Sequence, residues 1–336
     1  MRGRARSWCL WAAVALAGAG GTGWLGGAAA GAPGAPAWSL APAGPHPAPR
    51  TQASMAYDAK TRSVVLFGGS LPRGAVGTTW TWDGATWTRA SQARGPLARS
   101  GAAMAYDPDT GTVVLFGGIG TAGQVLGTTW TWDGATWTRA SQARGPLPRS
   151  GASMAYDPDT GSLVLFGGAA ATGTTLGTTW TWDGRWRRDG AASGPRPRSG
   201  ASMAYDPATG SLVLFGGLYT KGVLLRTTWS FASGRWTDRS SGVAPPAREL
   251  ASMVYDPAAR ALVLFGGDLA HSPGVVGTTW TWDGSGWRRL TFVQSPRARD
   301  GAAMAYDTAT SSAVLFGGAR RDGSPLGTTW LLGART

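Results

Sequence analysis

The stretch SGAAMAYDPDTGTVVLFGGIGTAGQVLGTTWTWDGATW, residues 100–137, decides the fold. Met104 and Tyr106 stand two apart, so they share one face of a short strand over Ser100–Tyr106. Asp107-Pro108-Asp109-Thr110-Gly111 then reads as a turn, with proline pre-setting φ and glycine free to take a positive φ. Thr112–Phe116 is a continuous apolar run, the pattern of a strand covered on both faces. Gly117-Gly118 ends it at a point where backbones must come close. Thr128–Trp132 reads as a third strand, Asp133-Gly134 as a hairpin turn, and Trp137 as part of a fourth strand.

Working outward, the same unit recurs along the chain. Phe-Gly-Gly begins at Phe67, Phe116, Phe166, Phe215, Phe265 and Phe316, at intervals of 49, 50, 49, 50 and 51 residues. Met-x-Tyr begins at Met55, Met104, Met154, Met203, Met253 and Met304, and Thr-Thr-Trp ends at Trp80, Trp130, Trp180, Trp229, Trp280 and Trp330. Residues 77–97 and 127–147 are identical. A period of this length, with four strands, a Gly-Gly doublet and a downstream Trp, predicts an all-β, six-bladed propeller with four antiparallel strands per blade.

These six in-register copies resemble bacterial kelch-repeat proteins and, more distantly, the propeller domain of galactose oxidase. The resemblance spans roughly residues 38–332. Two units depart from the common pattern: Ser230-Phe231 and Leu331-Leu332 replace Thr-Trp, and both still suit a strand.

Ring closure follows from counting. The fourth-strand Trp lies 17 residues before the next Met in all five internal cases, from Trp87 to Met104 through Trp287 to Met304. Counting 17 back from Met55 lands on Trp38, whereas the sixth unit has no fourth strand of its own after Trp330. An N-terminal outer strand around Ala37–Leu40 is therefore expected to complete the last blade and cover the open sheet edge.

The domain reading has three parts: residues 1–30 as a signal peptide or N-terminal anchor, 31–37 as a linker, and 38–336 as the propeller. Arg2, Arg4 and Arg6 precede an apolar run from Trp8 to Ala19, and small residues follow at 26–30. The chain is expected to be exported, as a secreted or cell-surface protein; membrane contact is expected only through that segment, if it is retained.

Composition narrows the chemistry. The formal net charge is +13, and only Lys60 and Lys221 are lysines. Cys9 is the sole cysteine, and His46 and His271 are the only histidines. Galactose oxidase chemistry, as the resemblance implies it, needs copper, histidine ligands and a cysteine-linked tyrosine; the propeller region has no cysteine for it. No cofactor and no metal site are expected. Asp107-Pro108-Asp109-Thr110-Gly111 and its copy at 157–161 look like the start of a calcium loop, but no bidentate glutamate follows, since Glu249 is the only Glu. The aromatic residues occupy repeated core positions, so nucleic acid is not an expected partner.

In a propeller the 1–2 and 3–4 turns share one face, and the 2–3 and 4–1 connections share the other. The turn face is uniform here; the 2–3 loops differ from copy to copy, and variable loops on a rigid scaffold are where binding resides. On that loop face Arg50, Arg99, Arg149, Arg198, Arg248 and Arg299 hold one equivalent position before the inner strand. They are expected to ring the channel mouth, where neighbouring like charges ~10 Å apart repel by roughly 1–2 kcal/mol. An anion would relieve that, and guanidinium groups bind carboxylates in bidentate fashion; in adaptor-type kelch domains arginines at similar sites contact acidic peptides. The structural alternative is that each Arg packs against its neighbouring blade or a backbone carbonyl. Glu249 and Asp300 interrupt the pattern and are expected to pair with Arg248 and Arg299, or to act as an acid–base pair. Arg73, Tyr219, Lys221, His271, Arg320 and Arg321 are the candidate loop contacts.

The functional expectation is a non-catalytic extracellular binding module for an anionic glycan, a cell-wall polymer or an acidic protein segment. Two alternatives stand beside it. One is an exported carbohydrate-active enzyme: a mutarotase or epimerase, as the kelch resemblance implies, or a glycan-cleaving enzyme using a carboxylate pair. The other is a structural scaffold.

Overall fold

A computed structural model describes residues 36–91, 94–141, 144–190, 193–269 and 274–334. The expected signal peptide or anchor, residues 1–30, residues 31–35 of the expected linker, and His271 lie outside the described residues. Six four-stranded antiparallel sheets form the ring. Blade one comprises Ser54–Asp58, Ser63–Phe67, Thr79–Trp82 and Trp87–Arg89. Blade two repeats this as Ala103–Asp107, Thr112–Phe116, Thr129–Trp132 and Trp137–Arg139, and blades three to five follow in register. Blade six takes three strands from the C-terminal end, Asp300–Asp307, Ser312–Ala319 and Thr329–Ala334, and its outer strand from Pro36–Leu40. That strand pairs Trp38 with Leu332 and Leu40 with Trp330, so the predicted clasp is present, beginning one residue earlier than expected.

The second strands make the core because both of their faces meet a neighbouring blade. Val64, Val65, Leu66 and Phe67 are completely buried, as are their counterparts around the ring. Burying each such side chain contributes about 1.5–3 kcal/mol. The apolar clusters belong to blade pairs: Met104, Val113, Leu115, Trp132 and Trp137 of blade two pack on Ala56, Val65 and Phe67 of blade one.

One polar contact repeats at every blade junction. The fourth-strand Trp donates its indole N–H to a Thr Oγ1 of the preceding blade and packs its ring on that blade's Phe. Trp137 does so to Thr79 at 2.8 Å and to Phe67, with centroids 5.3 Å apart. Trp186, Trp236 and Trp287 repeat this with Thr129, Thr179 and Thr228, and Trp87 closes on Thr329 of blade six. The sequence repeats Trp and Thr because each junction needs a donor, an acceptor and an aromatic face.

At the loop-face mouth of the channel, six peptide groups hydrogen-bond in a closed circle. Gly101 N–H donates to Gln52 O, Gly151 to Gly101, Gly200 to Gly151, Leu250 to Gly200, Gly301 to Leu250, and Gln52 to Gly301, at 2.7–2.9 Å. All six residues have φ between 52° and 64°. Glycine fills four positions because this left-handed region is costly for other residues. Below the circle the channel is a cavity of about 160 Å³, lined by the inner strands from Ala53-Ser54-Met55 to Ala302-Ala303-Met304.

Candidate functional site: the loop face

The six repeated arginines do not stand free at the mouth. Each is 1–3% exposed, turned into its own blade. Arg149 Nη1 donates to Gly167 O at 2.8 Å and to Thr178 Oγ1 at 3.1 Å, and its Nε donates to Leu147 O at 3.0 Å. Arg50, Arg99, Arg198, Arg248 and Arg299 repeat the pattern, with Nη1 on the carbonyl of the first glycine of each Phe-Gly-Gly. Their backbones are used as well: Arg149 N donates to Leu126 O, and Arg149 O accepts from Gly118 N of the preceding blade. The mouth ring of unpaired guanidinium groups expected from sequence is thus corrected. Repetition placed these side chains where a planar, multi-donor cation locks the base of the 2–3 loop. Desolvation by burial lowers all six to a pKa of about 10.

Glu249 and Asp300 follow ring arginines in sequence, so their side chains leave the opposite side of the strand. The ion pairs expected with Arg248 and Arg299 do not form among the described residues, because those guanidinium groups face inward. Glu249 instead lies opposite Asp268 in a two-way backbone pair, at 3.1 and 2.9 Å. Burial, then Asp268 and Asp300, push the Glu249 carboxyl up to about 7. Burial, then Asp268, push Asp300 up to about 6. Three half-buried carboxyl groups of blades five and six, Glu249, Asp268 and Asp300, therefore lie within electrostatic reach of one another, with Glu249 turned toward Gly200 of blade four. No sequence motif singles out Asp268; the signal that places it is the fixed pairing between the residue after each Arg and the residue after each Gly-Gly.

The candidate loop contacts spread around the face rather than meeting at one point. Arg73, Arg320 and Arg321 are exposed at the 2–3 loops of blades one and six. Tyr219 is half-buried and Lys221 exposed on blade four, Lys221 with a φ of 67°. In the next blade junction Thr175 and Thr220 share a hydrogen bond of 2.7 Å, which ties two of these loops together.

Charge divides between the two faces. Only six of the 18 acidic residues lie toward the loop face: Asp189, Asp238, Glu249, Asp268, Asp300 and Asp322. The others cap the 1–2 and 3–4 turns, as Asp83 does by accepting from the N–H groups of Ala85 and Thr86. Exposed arginines collect on the loop face, among them Arg89, Arg94, Arg139, Arg144 and Arg196. None of the first four forms an ion pair among the described residues.

A solved structure of a protein named YjhT superposes with a TM-score of 0.68 at 15% identity, covering 87% of this chain and 99% of YjhT. The chain is a kelch-like six-bladed propeller. No known family profile and no curated protein matches it by sequence. At this identity the likeness carries the fold alone. What distinguishes this kelch-like propeller chemically is its loop face: six internal arginines, a surplus of exposed ones, and one carboxylate cluster.

Proposed function

We propose that the chain is an exported, non-catalytic binding module that takes an acidic ligand on its loop face. The observation that carries this reading is the charge division between faces. The turn face holds its aspartates in tight turns, whereas the loop face presents Arg89, Arg94, Arg139 and Arg144 without ion-pair partners among the described residues. Exposed guanidinium groups on a rigid scaffold attract and orient carboxylates, sulfates and phosphates. The ring arginines support the reading indirectly, by fixing the loop bases from which the exposed ones project. The leader-like N-terminal residues support export.

The test is binding of the purified protein to an array of acidic and neutral glycans and acidic peptides at low and moderate salt. Acidic ligands are expected to bind, more weakly as salt rises. Equal binding of neutral ligands, indifferent to salt, would overturn the reading.

A second reading rests on Glu249 and Asp300. Two carboxyls raised toward neutrality beside a channel mouth suit proton transfer on a sugar. It predicts turnover of a reducing sugar or glycan that Glu249→Gln abolishes while folding is kept.

A further inference from the structure

Blade one carries a polar cleft of about 210 Å³ on the outer half of the loop face. Its walls are Gly77-Thr78 at the start of the third strand, Arg89-Ala90 at the end of the fourth, and Arg94-Gly95-Pro96 of the 4–1 connection. Arg89 and Arg94 are both exposed and open onto it. Its floor is Thr78, whose Oγ1 already accepts from the buried Arg50 at 3.1 Å. Two exposed guanidinium groups thus line one small space, a third, buried one holds its floor through Thr78, and none of the three has an acidic partner among the described residues. Burial and then the charge of Arg89 lower Arg50 to about 10, which is the electrostatic sign of that crowding.

Comparison among the blades shows what the cleft lacks. The fourth-strand Trp precedes the ring Arg by 12 residues in every blade, so positions correspond without gaps. The place of Arg94 is taken by Arg144 in blade two but by Ser193, Val243, Gln294 and Pro45 elsewhere. Only blades one and two have both arginines. Blade four places Asp238 where blade one has Arg89, opposite Trp229 as Arg89 is opposite Trp80. There the carboxylate of Asp238 supports the charge of Arg198. Blade three has Asp189 where blade one has Ala90. Two blades therefore carry an internal carboxylate at this place, and two carry an extra cation instead. Residues 127–147 are identical to 77–97 and have the same strand register, Trp130 opposite Arg139 and Ala140 N–H donating to Thr129 O as Ala90 does to Thr79 O. Blade two thus places the same cleft-lining residue types, Thr128, Arg139 and Arg144, in the same register beside blade one.

We propose that the clefts of blades one and two are tandem subsites for the anionic groups, carboxylate or sulfate, of a repeating acidic glycan. A repeating polymer fits because two identical sites a fixed blade apart reward a ligand that repeats the same charge. The shallow, polar walls offer guanidinium and backbone groups and no apolar pocket for a peptide side chain. This rests on the loop-face reading above and makes it specific.

The test is calorimetric titration of the purified protein with galacturonic acid, a long oligogalacturonate, a heparin oligosaccharide, a neutral dextran oligosaccharide and poly-glutamate. The variants are R89A/R94A, R139A/R144A, all four together, and R185A/R235A on the turn face, each checked for folding by near-UV circular dichroism. The long acidic glycan is expected to bind at least ~100-fold more tightly than the monomer, through effective concentration. Either double variant should forfeit that gain, the fourfold variant should abolish binding, and R185A/R235A should leave it intact. Oligogalacturonate against heparin distinguishes carboxylate from sulfate recognition. Wild-type-like glycan binding by the fourfold variant would overturn the clefts while leaving the loop-face reading in place. Failure of the wild-type protein to bind any acidic probe would overturn both. Poly-glutamate binding as tightly as the glycans would overturn the glycan assignment.

Discussion

Trp38 donates its indole N–H to Oγ1 of Thr279 at 3.3 Å and packs on Phe265, across a separation of 241 residues to Thr279. It is the sixth copy of the Trp–Thr contact found at every other junction, and it is supplied by the opposite end of the chain. The seam of the ring is therefore built from the same parts as the rest.

Trp38 is 2% exposed. Trp38→Ala removes a buried indole, a hydrogen bond and an aromatic contact, and is expected to cost about 3–5 kcal/mol in urea unfolding. Deleting residues 36–42 bares the edge of Thr329–Ala334 and should lower stability further and promote association. A deletion variant as stable as the intact ring would contradict the clasp.

The ring arginines give a second prediction. Arg149→Ala strands Gly167 O and the base of a loop in a buried place, so a loss of about 3–5 kcal/mol is expected. Arg149→Lys keeps the charge but cannot reach three acceptors in one plane, and should recover only part of the loss. Thermal unfolding of the two variants checks this. A neutral effect on stability would mean the guanidinium is not a structural lock.

A Cβ on Gly266 would lie 2.5 Å from Arg299 O of the next blade, and Gly266 has φ +74°. Gly266→Ala therefore combines backbone strain with a clash at a blade junction, and is expected to cost at least ~3 kcal/mol. The same change at Gly74, where φ is +117° but no atom lies within 4 Å, should cost clearly less. Matched denaturation curves separate the clash from the strain.

The carboxylate group predicts a pH dependence. Glu249 is raised from 4.5 to about 7 in the folded ring. Ionisation then opposes folding: stability is greatest below the unfolded value and is lost as pH rises through about 7. Glu249→Gln should leave stability little changed near pH 4 and raise it at pH 8 by roughly 1–2 kcal/mol, after allowance for solvent screening. A variant with the wild-type pH profile above pH 5 would contradict the electrostatic picture of this corner.

Much of the ring was legible in the sequence because its determinants are local and repeated. The apolar run Thr112–Phe116, the Gly-Gly doublet and the interval that points back to Trp38 each carry their own physical reason. The arginine ring was legible as a position but not as a direction. A strand residue alternates sides with its neighbour, and only the register shows that Arg248 faces into the blade while Glu249 does not. The blade-one cleft was hidden for a related reason. Arg89, Arg94 and Thr78 meet through pairing across two strands and a returning connection, which no linear motif records.

The most direct test of the account reverses charge on one face at a time. R320E/R321E/R89E/R139E alters the loop face, and R185E/R235E the turn face; binding of an acidic glycan is measured for both at low salt. The account predicts near-complete loss for the first and wild-type affinity for the second. Loss in the turn-face variant with retention in the loop-face variant would contradict it.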